Sequence, residues 1–417
     1  MSTLAQNIHR AVTYLVSRRQ HLPRSLNRLI DDVAKNPDGF AGKIAARLLG
    51  GADPKRVPPA TNIPPTPVRV YIGPTNYAGQ GYLWARALES SDGSIGARNM
   101  AIELPAGFAF PADSLVPTAV QTASSAWQRA EFEAVTEFTH VLFEAERSLF
   151  GPLFGRNVAQ EIRELEQRDI SCAFLCHGTD IRSPRLHLER DHFSPYGDDA
   201  YTAALQADAD ANLVLLRAHQ LPIFVSTPDL LIEVPEAAWC PVVVETERWR
   251  ESSRELLNYS VPVVVHLPSM GSVKGTHLIE PMLHRLHAEG VIEYRGLTGI
   301  PSAEMPAIIG DADIVLDQFR IGSYGVAAVE AMAASRVVIG HVLPDVRELI
   351  AHLTGHELPV VEADPDTLEA VLLGLIADPD SMRQAAASGR KFADVIHSGS
   401  WSAQVLSEQW IYKPASA

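Results

Sequence analysis

A chain of 417 residues is long enough for two domains of ordinary size. Hydrophobic residues make up 46%, the content of a soluble globular protein, and no apolar run reaches the ~18 residues that a membrane span needs. A net charge of −15 argues against nucleic acid as a partner. Three cysteines (Cys172, Cys176 and Cys240) without metal-type spacing fit reduced thiols in a cytoplasmic protein.

The charge is unevenly spread. Residues 1–56 carry ten Lys/Arg against four Asp, and the rest of the chain carries 25 against 46 acidic residues. Residues 1–50 read as short amphipathic helices, with Leu4, Ile8, Val12 and Leu15 on one face and Leu26, Leu29, Ile30 and Val33 on another. A basic amphipathic helix can lie on an anionic lipid surface. The favoured reading is a helical hairpin packed on its own body or on a second subunit. The N-terminus lacks an apolar core followed by a cleavage site, so no signal peptide is expected.

Residues 50–67 are rich in Pro and Gly and read as a linker. A strand over 68–73, a loop over 74–81 containing Gly79, and a helix from Tyr82 then open a Rossmann-like half. The glycine spacing does not match a dinucleotide fingerprint. Strands follow at 100–104, 139–143 and 171–176, with helices at 124–135 and 157–168. The strand over 171–176 ends in His177-Gly-Thr-Asp-Ile-Arg182. Open α/β sheets bind ligands at the carboxyl ends of their strands. His177 suits acid/base or orienting work there. Asp180 and Arg182 either orient this loop and the acceptor or pair with each other. A helix over 203–219, a strand over 222–225 and the segment 226–229 lead to the end of the first half.

The second half opens with a strand over 261–266, the pair Lys274-Gly275 and a helix over 276–289. Residues 313–340 then read as a βαβ unit: buried strand 314–316, glycine loop 321–325, small-residue helix 326–334 and buried strand 337–339. The helix is apolar on every face except at Glu330, the pattern of a buried helix. Gly322 and Gly325 let the backbone approach a ligand. The helix N-terminus behind them is an anion site. A phosphate at the loop and a hydroxyl on Glu330 would together describe a sugar nucleotide. A core helix with one satisfied glutamate is the other reading. Terminal helices are expected at 381–396 and 402–410.

Tyr324-Gly325-Val326, Glu330-Ala-Met-Ala333 and the following Val-Val-Ile strand resemble the donor-site signature of retaining GT-B glycosyltransferases that share the Glu-Ala-Met-Ala helix. The common form has two glutamates eight positions apart. The second matches Glu330, and the first falls at Gly322. The resemblance implies an α/β GT-B fold: two Rossmann-like domains facing across a cleft, here with an N-terminal helical extension. The implied divisions are an extension and linker (1–60), an acceptor domain (61–255), a donor domain (256–385) and helices crossing back to the first domain (386–417). The implied activity is transfer of a hexose from a nucleotide diphosphate sugar to a hydroxyl, in cell-surface or envelope glycan synthesis.

The resemblance also assigns roles. His177, Lys274 and Glu330 are the catalytic candidates. Arg320, Gly322, Ser323, Tyr324, Gly325 and Val326 are donor-binding. Asp180, Arg182 and Gly79 face the acceptor or set loops. Lys274 matches the diphosphate-binding lysine. The arginine that many relatives place shortly before it is absent, which implies weaker phosphate clamping or a replacement cation such as Arg320. The partners implied are a sugar nucleotide and a glycan or lipid-linked acceptor, with no nucleic acid. The expected place is the cytoplasm, with peripheral contact to the inner membrane face through residues 1–50 as the lipid reading. The alternative is a catalytically silent GT-B-like scaffold or partner subunit.

No metal or other cofactor is expected. Asp208-Ala-Asp210 and Asp311-Ala-Asp313 superficially resemble a metal-binding Asp-x-Asp, but read as solvated caps. His187, Glu189 and His192 fit no zinc motif.

Overall fold

The computed structural model describes residues 57–75, 77–103, 110–268 and 271–413. The basic head expected as helices over 1–50 lies outside them. Among the described residues, twelve strands form two parallel sheets. The first runs β3-β2-β1-β4-β5-β6-β7, and the second runs β12-β11-β10-β8-β9. The strands of the first are β1 (Val68–Gly73), β2 (Ile95–Glu103), β3 (Ser114–Pro117), β4 (His140–Glu144), β5 (Ser171–Cys176), β6 (Ile223–Val225) and β7 (Ala238–Trp239). Those of the second are β8 (Val263–His266), β9 (Glu293–Gly296), β10 (Ile314–Leu316), β11 (Val337–Gly340) and β12 (Val361–Glu362).

The described residues divide into two compact units. One holds those within 57–82, 94–143 and 147–172. The other holds those within 83–93, 144–146 and 173–413. In the first unit, β1 pairs in parallel with β2 and β4. Its buried polar centre is Glu131, which accepts hydrogen bonds from the Tyr71 hydroxyl (2.7 Å) and from the Thr61 backbone N–H and hydroxyl. Those three donors satisfy a carboxylate that burial would otherwise penalise.

In the second unit, β8, β10 and β11 are almost entirely Val, Ile and Leu, as strands covered on both faces must be. Leu316 stands beside His266 in the β10–β8 register, so the ends of both strands deliver their loops to one edge. The core joins Val264, Ile314, Leu316 and Ile339 to Ile279 and Leu283 of helix Thr276–Ala288 and to Met382 of helix Pro379–Ile396. Among the described residues, no helix is long and apolar enough to cross a membrane.

Several elements differ from the sequence expectation for local reasons. The helix expected over 203–219 begins at Ala200, because the Asp199 side chain accepts from the N–H groups of Tyr201 and Thr202. The stretch after Arg182, expected to be irregular, contains helix Pro184–Arg190, capped by Ser183 with Pro184 in its first turn. Asp313 is not a solvated cap. It is fully buried and accepts from the N–H groups of Leu257 (2.7 Å) and Val263 (2.9 Å) and from the Arg254 guanidinium (2.8 Å).

Candidate functional site

β10 ends at Leu316, and the chain runs from Asp317 through residues 318–325 into helix Val326–Ala333. Gly325 is the N-cap of that helix. Its N–H donates to Asp317 Oδ2 at 2.8 Å, and Lys274 Nζ donates to Asp317 Oδ1 at 2.9 Å. Lys274 ends the short helix Gly271–Lys274 and is followed by Gly275 at φ +82. A side chain at 275 would meet Arg320 Cγ at 3.0 Å, so glycine is what lets the two turns pack. The Phe319 N–H donates to the Lys274 carbonyl, which fixes the register between them. Lys274 and the glycine turn therefore converge on one buried carboxylate.

Glu330 lies one turn into the helix. Its side chain keeps partial exposure, yet the surrounding protein is dense enough to push its carboxyl up to about 8. Burial is the main cause. Asp317 adds to it, and Lys274 and Arg248 oppose it. Glu330 thus shares the electrostatic field of Lys274 and Asp317.

Residues from the β5 side meet the same turn. His187 is buried between Ser194 Oγ, 2.8 Å from Nδ1, and the Ile321 carbonyl, 3.0 Å from Nε2. Arg320 donates to the carbonyls of Phe193 (2.9 Å) and Ser194. The cation expected to replace a missing phosphate clamp is therefore already engaged with backbone. Gly322 has φ +66, and a Cβ there would lie 2.6 Å from Leu343 Cγ and 3.2 Å from Asp191 Oδ2. A carboxylate from another element thus stands against the position where the resembled signature places its first glutamate.

Asp180 and Arg182 do not form the mutual pair that was one reading of them. Asp180 accepts from the N–H groups of His177 (2.7 Å) and Gly178, closing the loop. Arg182 is buried and pairs with Asp229 at 2.6 Å. Burial works against the charged form of Asp229, but Arg182, with help from Ser323 and Thr227, holds its carboxyl below the usual range. Asp229 Oδ1, Ser323 Oγ, Thr227 Oγ1 and Asp191 Oδ2 are buried without a well-formed hydrogen bond. Two of these residues, Asp229 and Ser323, influence each other directly, and Asp191 Oδ2 stands beside Gly322. Under-satisfied polar atoms therefore gather around the 322–323 turn.

His177 Nε2 lies 3.2 Å from Glu144 Oε1, and its ring sits 5.7 Å from that of Trp84. The Tyr324 hydroxyl is 3.1 Å from His397 Nε2, while His397 Nδ1 donates to the Val242 carbonyl at 2.7 Å. The Tyr324 side chain is thus structural, and its backbone is what faces the turn. Val326 opens the helix with partial exposure. Gly79 belongs to the first unit, at φ +69 ahead of helix Gln80–Ser91. Glu146, Cys176 and Asp180 could hold a metal by distance. The Cys176 thiol donates to Glu146, however, and burial first, then nearby carboxylates, raise its pKa, so it does not offer a thiolate.

Sequence reasoning missed Asp317 and Asp191 as site residues, and it had read Asp229 only as part of an acceptor-side or hinge segment, 226–229. Asp317 had a signal, an acid immediately after a buried strand in a parallel sheet. Asp191 had none, and nothing local pointed to the pairing of Asp229 with Arg182, because these partners lie far along the chain.

No protein-family model matches this sequence, and no curated protein does. Solved structures match over most of the chain. HepE of Anabaena in complex with UDP-glucose is 11% identical, with a TM-score of 0.50, over 81% of this chain and 99% of that one. Sucrose-phosphate synthase of Thermosynechococcus elongatus is 12% identical, with a TM-score of 0.50, over 82% of this chain and 97% of that one. The chain has the GT-B fold. The likeness at these identities is one of fold.

Proposed function

We propose that this protein transfers a hexose from a nucleoside diphosphate sugar to a hydroxyl acceptor, with retention at the anomeric carbon. The observation that carries this reading is the convergence of Lys274 Nζ and the Gly325 N–H on one anionic group. Such a seat suits a phosphate oxygen. Cleavage of the sugar–phosphate bond leaves negative charge on the departing diphosphate. A fixed cation and amide then stabilise the transition state more than the ground state. In this reading Asp317 holds the seat and yields it to the diphosphate, so no resident metal is required.

Glu330 binds the ribose hydroxyls. The under-satisfied atoms of Asp191, Thr227, Asp229 and Ser323 suit a polyhydroxylated sugar, which offers both donors and acceptors. His177 orients sugar and acceptor, with its loop set by Asp180. HepE, whose structure holds UDP-glucose, shows that the shared fold accommodates such a donor in that protein. The acceptor half is taken as 61–255 and the donor half as 256–385. The acceptor is a glycan or lipid-linked glycan of the cell envelope, met at the cytoplasmic membrane face.

The second reading is a silent scaffold. Asp317 already neutralises Lys274, and Gly322 offers no carboxylate. Thermal unfolding with millimolar UDP and GDP separates the two. A raised midpoint with either supports the enzyme. A flat response to every nucleoside diphosphate favours the scaffold.

A further inference from the structure

A cavity of about 640 Å³ opens at the other end of helix Val326–Ala333 from the glycine turn. Six cationic side chains line it: Arg250, Arg254, Arg336, Arg383, Arg390 and Lys391. Glu255 and Asp394 are its acidic members. Arg383, Arg390 and Lys391 share one face of helix Pro379–Ile396, where the small Ala386 and Ala387 leave room between them. Arg336 precedes β11, so the cavity lies at the amino end of that strand. Open parallel sheets bind substrate at the opposite ends.

Part of this charge is neutralised within the protein. Arg254 is met by Asp311 and Asp313, Arg250 by Asp394 and Glu247, and Arg383 by Asp380. Three cations have no carboxylate in close contact among the described residues. Arg336 is 2% exposed, and among the described residues its guanidinium donates to the carbonyls of Ala312, Ala334 and Arg254 and to no carboxylate. Burial, reinforced by Arg254 and opposed by Asp313 and Asp311, brings its pKa down to about 10. Arg390 reaches Asp394 only at 3.8 Å. Lys391 has no hydrogen bond or ion pair among the described residues. Arg250 Nε is also buried without an acceptor. A buried guanidinium without a carboxylate is costly. A planar fork with free N–H groups fits phosphate oxygens.

We propose that this cavity is a second anion site that takes a phosphate-bearing ligand, separate from the glycine turn. The ligand is a free phosphorylated molecule or the phosphate of a lipid headgroup. Its phosphate meets Arg390 and Lys391 at the rim and Arg336 and Arg250 deeper in.

The test is calorimetric titration of the full chain with sodium pyrophosphate in a Lys274→Ala background, which removes the seat at the glycine turn. Binding is expected to persist there. It is expected to weaken about tenfold or more when Arg390→Glu and Lys391→Glu are added, the scale of losing charge-assisted contacts. Both side chains are exposed, so an unchanged melting temperature and circular dichroism spectrum will show that the fold is retained. Absence of binding in the Lys274→Ala protein, or binding indifferent to the added pair, overturns the site. Flotation with phosphatidic acid vesicles, against phosphatidylcholine vesicles, distinguishes the sources. Vesicle binding that the added pair abolishes assigns the phosphate to a headgroup. Pyrophosphate binding without it assigns a free ligand.

Discussion

Lys274 and Asp317 form a 2.9 Å ion pair, and the second oxygen of Asp317 takes the N–H of Gly325. The anionic seat of the proposed donor site is thus filled by the chain itself. An incoming diphosphate must displace a carboxylate that is 2% exposed. Two substitutions then act in opposite directions. Asp317→Asn removes the competing charge, and calorimetry should show UDP or GDP binding about tenfold tighter. Lys274→Ala should lower sugar-transfer turnover by about 10² or more. Weaker nucleotide binding by Asp317→Asn would show that Asp317 supports the donor rather than standing in for it.

Glu330→Ala separates binding from stability. No hydrogen bond to the Glu330 carboxyl is present among the described residues, and burial raises its pKa to about 8. Its removal should leave the melting temperature unchanged or slightly raised. Nucleotide affinity should fall by at least about tenfold, as expected for losing a charged hydrogen-bond acceptor. Equal affinity would take the ribose role away from it.

Gly322→Glu restores the glutamate spacing of the resembled signature, and it should fail. At φ +66 a side chain costs about 1–3 kcal/mol. Its Cβ would also sit 2.6 Å from Leu343 Cγ. Urea denaturation should give a lower midpoint, with no gain in turnover. A stable, more active variant would mean that the turn relaxes freely.

His341 gives a pH dependence. Burial lowers its pKa, but Asp191 and Glu362 outweigh that and raise it from 6.5 to about 9. The stability it contributes is complete below about pH 6.5 and is lost as pH rises through about 9. Glu330 and Glu161, raised to about 8 and about 7, change stability in the same direction. The informative quantity is therefore wild type minus His341→Gln, followed by denaturant titration from pH 6 to 9.5. That difference should shrink with rising pH, and a constant difference would remove the imidazolium from the account.

Arg182 and Asp229 form a buried pair, so removing one partner leaves the other charge uncompensated. Arg182→Ala should destabilise by about 3–5 kcal/mol. The double variant Arg182→Met/Asp229→Leu should recover most of that loss. A double variant as unstable as the single one would indicate that packing, not charge, is at stake.

Strands were legible where the sequence had to be apolar on both faces. β10 and β11 appear almost at the expected limits because Ile314–Leu316 and Val337–Gly340 permit little else. The glycine turn and the helix behind it were legible because their backbone requirements are local, whereas Lys274 stood out through its resemblance to a family lysine and the structure brings it to Asp317 beside Gly325. What could not be read was pairing over distance. Arg182 chose Asp229 over the nearer Asp180, because Asp180 was already taken by two backbone N–H groups of its own loop. Asp313 looked like a surface acid because its compensating donors, at 254, 257 and 263, sit some fifty or more residues upstream.

That last arrangement bears on how the protein can be divided. Asp313 stitches residues 254–263 to the root of β10 through a guanidinium and two peptide N–H groups. A recombinant fragment starting at Val263 would leave the acid sealed in an apolar wall with a single donor. Anyone wishing to express the five-stranded half alone should cut upstream of Arg254, so that this internal rivet travels with it.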